Sequence, residues 1–374
     1  MRPANAYRLG LKELKSLRYD PVMVFLIIYS FTFAIIAPAK GVKLELENAS
    51  VAVIDEERSQ LSRRLIDGLL EPYFQPPVGI GIEDLDGAMD AGRYTFVLDI
   101  PPRFQADIVE GSRPTLQVDV DATAMTQAGS GARFLERELA EATRVFLVGH
   151  SSEQRQPVSA VIRLLFNPNS ESAWFMSVMQ IVNMCTLLGI LLTGAALIRE
   201  REHGTIEHLL VMPLTALEIV LAKVWANALV ILIGATLALL LVVQGLLGAP
   251  IAGSISLFVS GLAVYLFALT ALGVLLATIA RTMPQFGLLS IPIFLVLYML
   301  SGANTPLDAM PDALQRIMQI SPTTHFVAFS QSVIFRGAGI AIVWSELLAT
   351  GMIGLAAFLL ALARFRRTVS LTQL

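Results

Sequence analysis

Six apolar runs constrain this chain before anything else does. A bilayer core takes roughly 20 apolar residues as helix. Runs of that kind lie at about 21–39, 173–198, 217–245, 254–280, 285–301 and 339–362. In lipid each backbone must satisfy its own hydrogen bonds, so isolated runs are expected as helices. The fifth is short and contains Pro292, which makes it either kinked or only partly crossing. Composition agrees. Only 15% of the 374 residues are charged and mean hydropathy is +0.66, whereas soluble domains hold about a quarter charged residues. The class implied is a polytopic α-helical membrane protein with a sizeable water-exposed portion.

Basic residues supply the orientation. They gather before the first run (Arg2, Arg8, Lys12, Lys15, Arg18), at Arg199 and Arg201, at Arg281, and at Arg364, Arg366 and Arg367. With six crossings these four sites share one side, which the positive-inside rule assigns to the cytoplasm. Both termini are therefore expected there. The first run closes on "APA", as a signal peptide can, but its lead-in is long and carries Glu13 and Asp20. We read it as a retained anchor. Residues 1–20 are expected either as an amphipathic helix in the cytoplasmic interface or as a plain overhang, since basic and apolar residues alternate at helical spacing from Leu11 to Leu17.

Residues 40–171 are too long for a loop and read as a domain. They hold 21 acidic against 13 basic side chains. "ASVAVIDEE", "YTFVLDIP", "TLQVDVDA" and "VSAVIRLLF" have the character of strands, while "SQLSRRLIDGLL" and "SGARFLERELAEATRVFLVG" have helical spacing. A mixed α/β extracytoplasmic domain inserted between the first two spans is the expectation. The remainder, 172–374, is expected to hold the other five spans.

A knot of charge follows the second run. Arg199, Glu200, Arg201, Glu202 and Glu207 fall within nine residues, and "TIEHLLVMP" then interleaves charge with apolar side chains. Each charge at mid-bilayer costs about 2.5–3.5 kcal/mol, so this segment cannot sit in lipid. Thr205 can cap a short helix that Pro213 stops, and Thr215 with Glu218 can form the capping box of the next.

The stretch "EREHGTIEHLLVMPLTALEIVLAKVWAN" resembles the signature loop of ABC-2-type transporter permeases, the membrane subunits of one class of ATP-driven exporter. The likeness extends over nearly the whole chain, and "SGANTPLDAMPDALQRIMQISPTTHF" is similar to the family's outer re-entrant helices, here within 302–338. The subgroup with a large domain between spans one and two, which includes drug-type exporters of the bacterial inner membrane, is the closest in layout. The resemblance implies that the loop 199–216 couples to a separate ATP-binding subunit. Glu200, Arg201, Glu202, Gly204, Thr205 and Glu207 match the polar part of that motif, and Leu209, Leu210 and Pro213 its apolar end. Further implied are a homodimer or heterodimer with a similar permease, a periplasmic adaptor protein at the external domain, and ATP-Mg held by the partner rather than by this chain.

Other chemistry is sparse in these residues. No Gly-x-x-x-x-Gly-Lys-Ser/Thr phosphate loop occurs. His203 and His208 are five apart, wrong for the i, i+4 pair of a zinc helix. No nucleophile elbow is visible, so neither catalytic nor metal residues are expected, nor a nucleic-acid partner. Cys185 lies in an apolar run and reads as a small apolar filler. Acids deep in the spans are scarce: Glu346 is the one candidate, with Arg336 nearby to neutralise it. Gln180, Asn183 and Thr186 in the second span, and Asn227 in the third, either line a translocation path or bond between helices. Two rival functions remain beside the permease: an envelope sensor that relays a signal through its spans, and a secondary carrier.

Overall fold

The structure is a computed structural model that describes residues 3–41, 48–69, 72–112, 114–121, 125–150, 172–202, 215–305, 307 and 310–372. The chain divides into two compact units, Met1–Gly41 with Ala173–Leu374, and Val42–Ser172. The first is helical. Among the described residues, six helices are long and apolar enough to cross a membrane: Pro21–Gly41, Ser172–Glu202, Ala216–Leu246, Ile255–Ile279, Met283–Leu300 and Ile340–Arg367, numbered spans one to six.

Local chemistry explains several boundaries. Span one starts where the Asp20 carboxylate accepts hydrogen bonds from the Val22 and Met23 amides, with Pro21 in the first turn. It breaks at Thr32, whose hydroxyl donates to the Ile28 carbonyl 2.6 Å away, a back-bond that bends helices. Span three starts at the capping box formed by Thr215 and Glu218 and ends in a π-helical stretch, Ala238–Leu246. Span five runs through Pro292 as one helix, Met283–Leu300. Two short helices, Asp312–Met318 and Pro322–Ile334, precede span six.

Span two is the central post. Its most apolar window is 83% buried, against 22%, 17% and 28% for spans one, five and six. Glycine permits its crossing with span four. A Cβ at Gly273 of span four would sit 2.6 Å from the Ile190 carbonyl oxygen, so only a residue without one lets the two backbones meet. Outward faces elsewhere carry exposed apolar residues such as Phe25, Leu241, Leu288 and Met352.

Among the described residues the second unit holds a four-stranded sheet of order β2-β1-β3-β4, from β1 (Val51–Asp55), β2 (Val78–Gly79), β3 (Phe96–Ile100) and β4 (Gln117–Val120). The central β1–β3 pair is parallel, and β4 pairs with β3 antiparallel. Parallel strands covered on both faces read as near-continuous apolar runs, which is why "VAVI" and "FVL" lack alternation. One face packs Val51, Val53, Phe96 and Leu98 against Leu61, Leu65, Leu135 and Leu139 of the helices Gln60–Asp67 and Met125–His150. The other packs Ala52, Ile54 and Val97 under Leu85 and Met89. The strand expected in "VSAVIRLLF" lies outside the described residues.

Candidate functional site

Successive residues of an α-helix point about 100° apart, so the last three residues of span two face three different neighbours. Glu200 reaches span three, where its Oε2 lies 2.9 Å from the ammonium of Lys223. Arg201 donates to the Ala277 and Ala280 carbonyls at 3.3 and 2.8 Å, at the C-terminal end of span four. Glu202 accepts from the Met283 amide at 2.8 Å, at the start of span five. A cation thus meets a helix C-terminus and an anion a helix N-terminus, each complementing the exposed backbone groups and dipole, typically by about 0.3–1 kcal/mol. One residue earlier, Arg199 donates to Asp20 at 3.0 Å and ties span two to the cap of span one. The Met23 amide, opposed in part by desolvation, and then the Arg199 guanidinium hold the Asp20 carboxyl below its ordinary value.

Lys223 is the least expected member. Its side chain is 2% exposed, and its ammonium also touches Glu13 of the N-terminal helix at 3.0 Å and the Ala196 carbonyl at 3.4 Å. Two carboxylates and a carbonyl replace the water this ammonium has lost. Removing one partner from a buried ion pair costs about 3–5 kcal/mol, because the other charge is stranded. The N-terminal helix, Pro3–Tyr19, is seated on span three by aromatic contacts as well. Tyr7 stacks on Trp225 with centroids 6.0 Å apart and planes 6° from parallel, and the Trp225 indole donates to the Ala6 carbonyl at 3.2 Å. Gly10 allows the approach, since a Cβ there would overlap the indole ring.

Sequence reasoning selected Glu200, Arg201 and Glu202 but not Glu13 or Lys223. A signal was present: Lys223 interrupts an apolar run and Glu13 interrupts a basic one. The structure brings Glu200, Arg201 and Glu202 together at the root of the 199–216 loop. Residues Gly204, Thr205, Glu207, Leu209, Leu210 and Pro213 lie outside the described residues. At the loop's far end Thr215 and Glu218 make the reciprocal cap, at 2.8 and 3.3 Å.

Asn183, Thr186 and Asn227 are buried inside the bundle, and Gln180 is half-buried. Thr186 lies 2.6 Å from the Tyr265 hydroxyl of span four, which donates to Thr323 of the helix Pro322–Ile334 at 3.0 Å. Thr186 is thus bonded between helices. Asn183 donates to Gln180 at 3.3 Å and Asn227 to the Lys223 carbonyl at 2.8 Å. The amide oxygens of both asparagines are buried without a partner among the described residues. Glu346 corrects an expectation. Its carboxylate pairs with His325 Nδ1 at 2.7 Å rather than with Arg336. The helix Pro322–Ile334 packs along span six and presents the imidazole to it, whereas Arg336 lies beyond that helix's end and is exposed. Cys185 is buried with a free thiol.

Comparison with known proteins places this geometry in context. Residues 21–363 match the family model described as "ABC-2 family transporter protein". The chain is 47% identical to the inner membrane transport permease YhhJ of Escherichia coli (strain K12), over 98% of both chains. It is 27% identical to the probable multidrug ABC transporter permease YbhR of the same organism, over 96% of this chain and 97% of that one.

Proposed function

Because this chain belongs to the ABC-2 transporter family and is a multi-pass transport permease of the inner membrane, we propose that it is the membrane subunit of an ATP-driven exporter whose nucleotide is hydrolysed by a separate ATP-binding subunit. The family implies such a partner. In this reading both termini and the 199–216 loop are cytoplasmic, and residues 1–20 lie along the membrane surface. Residues 40–171 form the periplasmic domain, and 302–338 re-enter the outer leaflet. The grouping of Lys and Arg on alternate connections supports that orientation.

The observation that carries the reading is the junction at the root of the loop, where Glu200, Arg201 and Glu202 engage Lys223, the end of span four and the start of span five. The segment from Gly204 and Thr205 through Glu207, Leu209 and Leu210 to Pro213 docks on the ATPase. Closure of paired ATPases pushes this segment inward. A push at the root reaches spans three, four and five together and tilts spans two and five.

Two permeases pair, as a homodimer or with a similar chain, to enclose the path and present two docking surfaces. Gln180, Asn183, Thr186 and Asn227 are the polar groups such a tilt would bare. Asn183 and Asn227 each keep a buried oxygen unpartnered among the described residues, which leaves them free to meet a substrate polar group. The cargo is hydrophobic or amphipathic, a reading supported by relatives whose printed names include multidrug transport. An adaptor protein meets the periplasmic domain. Purification of the chain in mild detergent tests the proposal. A P-loop ATPase co-purifies and hydrolyses ATP in the complex if the reading is right; a chain that purifies without one contradicts it.

A further inference from the structure

We propose that Lys223 is a positioning residue that binds the N-terminal helix and span three into one body and couples that body to the root of the loop. The inference rests on the reading of the loop as the element the ATPase moves. Three observations carry it. The N-terminal helix is clamped to span three two positions past Lys223, through the Tyr7–Trp225 stack, the Trp225–Ala6 hydrogen bond and the close approach at Gly10. These contacts leave the pair of helices little freedom to slide on one another. Next, that body is held to span two through Lys223, whose ammonium bridges Glu13 on the N-terminal helix and Glu200 on span two at 3.0 and 2.9 Å. Finally, the lysine is 2% exposed, so water does not replace a carboxylate that moves away from it. The link must move whole or break at a cost.

The chemistry of the residue suits this task. A lysine ammonium is a compact charge on a flexible four-carbon stem. It keeps two carboxylates while the helices that carry them rotate by a few degrees. Arg201 is different: its planar guanidinium holds two carbonyls at the end of span four and fixes an angle. A displacement of the loop therefore moves span two together with the end of span four and carries the N-terminal helix and span three along through Lys223.

Spin-label distances in the complex with its ATPase test this, in a Cys185→Ala background. One label pair, Lys12→Cys with Arg366→Cys, reports the N-terminal helix against the end of span six. A second, Thr205→Cys with Arg366→Cys, reports the loop. In the otherwise wild-type chain, trapping with Mg-ATP and vanadate shifts both distance distributions. Lys223→Met abolishes the first shift and leaves the second, and Lys223→Arg retains both. Where Lys223→Met fails to assemble with the ATPase, Glu200→Leu, which leaves the ammonium no acceptor at that position, severs the same link from the other side and reads the same loss. A Lys12 shift that persists in Lys223→Met and in Glu200→Leu overturns the inference. So does a wild-type loop shift with a motionless Lys12 label, which leaves the loop's role intact. A motionless Thr205 label in the wild type overturns the loop's role and the inference with it.

Discussion

The ammonium of Lys223 lies 3.0 Å from a carboxylate oxygen of Glu13, although 210 positions separate the two in sequence. The contact joins the helix before the first membrane span to the third span, and Glu200 joins both to the second. Charges are scarce in this chain, and here six of them (Glu13, Asp20, Arg199, Glu200, Arg201, Lys223) gather on neighbouring helices around the end of span two. Arg199 with Asp20 and Lys223 with its two glutamates form ion pairs, while Arg201 binds backbone carbonyls. Such concentration at one membrane end is what a mechanical junction needs, because charged groups resist sliding into lipid.

Glu202 should be needed for coupling rather than for assembly. Its carboxylate accepts from the Met283 amide at the start of span five, and a lysine there would face that amide with like polarity. Glu202→Lys together with Glu207→Lys is expected to insert and accumulate normally yet abolish efflux of amphipathic dyes from cells. Transport that survives with unchanged ATPase binding contradicts the role.

Gly10 sets how closely the N-terminal helix meets span three. Gly10→Ala places a methyl in the Trp225 ring, and overpacking of this kind costs about 1–3 kcal/mol. A lower melting temperature in detergent is expected. Combining it with Trp225→Leu should recover part of the loss, which thermal unfolding of the two variants would read directly.

The sequence made the spans legible because burial in lipid demands unbroken apolar runs. Their observed bounds differ from expectation by a few residues, mostly where polar turns continue as helix: span two runs on to Glu202. The capping box at Thr215 and Glu218 was equally legible, since its two partners are three residues apart. The junction was half legible. Glu200, Arg201 and Glu202 announce themselves as charges beside a span, but their partners Lys223, Ala280 and Met283 are set by how helices pack. Glu346 shows the same limit. Arg336 is nearer in sequence than His325, yet the partner is chosen by the helix face that packs on span six. Of the loop's own residues from His203 to Leu214, the fold describes none.

Asp20 predicts a pH dependence. Its folded carboxyl titrates below the ordinary 3.8 through the Met23 amide and Arg199. A depressed carboxyl stabilises the fold above the unfolded value and loses that contribution as pH falls through the folded one. Asp20→Asn keeps a capping side chain but loses the ion pair. Its melting temperature should lie below wild type at neutral pH, and the gap should close as pH falls below 3.8.

Asp99 has the opposite sign. Desolvation, followed by the charge of Asp119, raises its carboxyl, and its Oδ1 is buried without a partner among the described residues. Ionisation therefore costs more in the fold than in the unfolded chain, and the penalty grows as pH rises through the folded value. Asp99→Asn should raise the melting temperature at neutral pH and converge with wild type under acid conditions. Equal or lower stability of the variant at neutral pH would show the carboxylate to be better solvated than this.

Tyr265 bridges Thr186 and Thr323. Tyr265→Phe removes the donor to the buried Thr323 hydroxyl, at about 1–3 kcal/mol for a group left unsatisfied, while Thr186 keeps its bond to the Val182 carbonyl, and detergent melting should fall accordingly. An unchanged melt would mean that water takes the place of the tyrosine hydroxyl at Thr323.

The central claim is that a foreign ATPase grips the segment between Glu202 and Thr215. Photo-crosslinking from a benzoyl-phenylalanine at position 207, in cells, tests it most directly. The account predicts a covalent adduct with a P-loop ATPase, lost when the ATPase subunit is deleted. Adducts with lipid or periplasmic proteins alone, or accessibility of position 207 from outside the inner membrane, would contradict it.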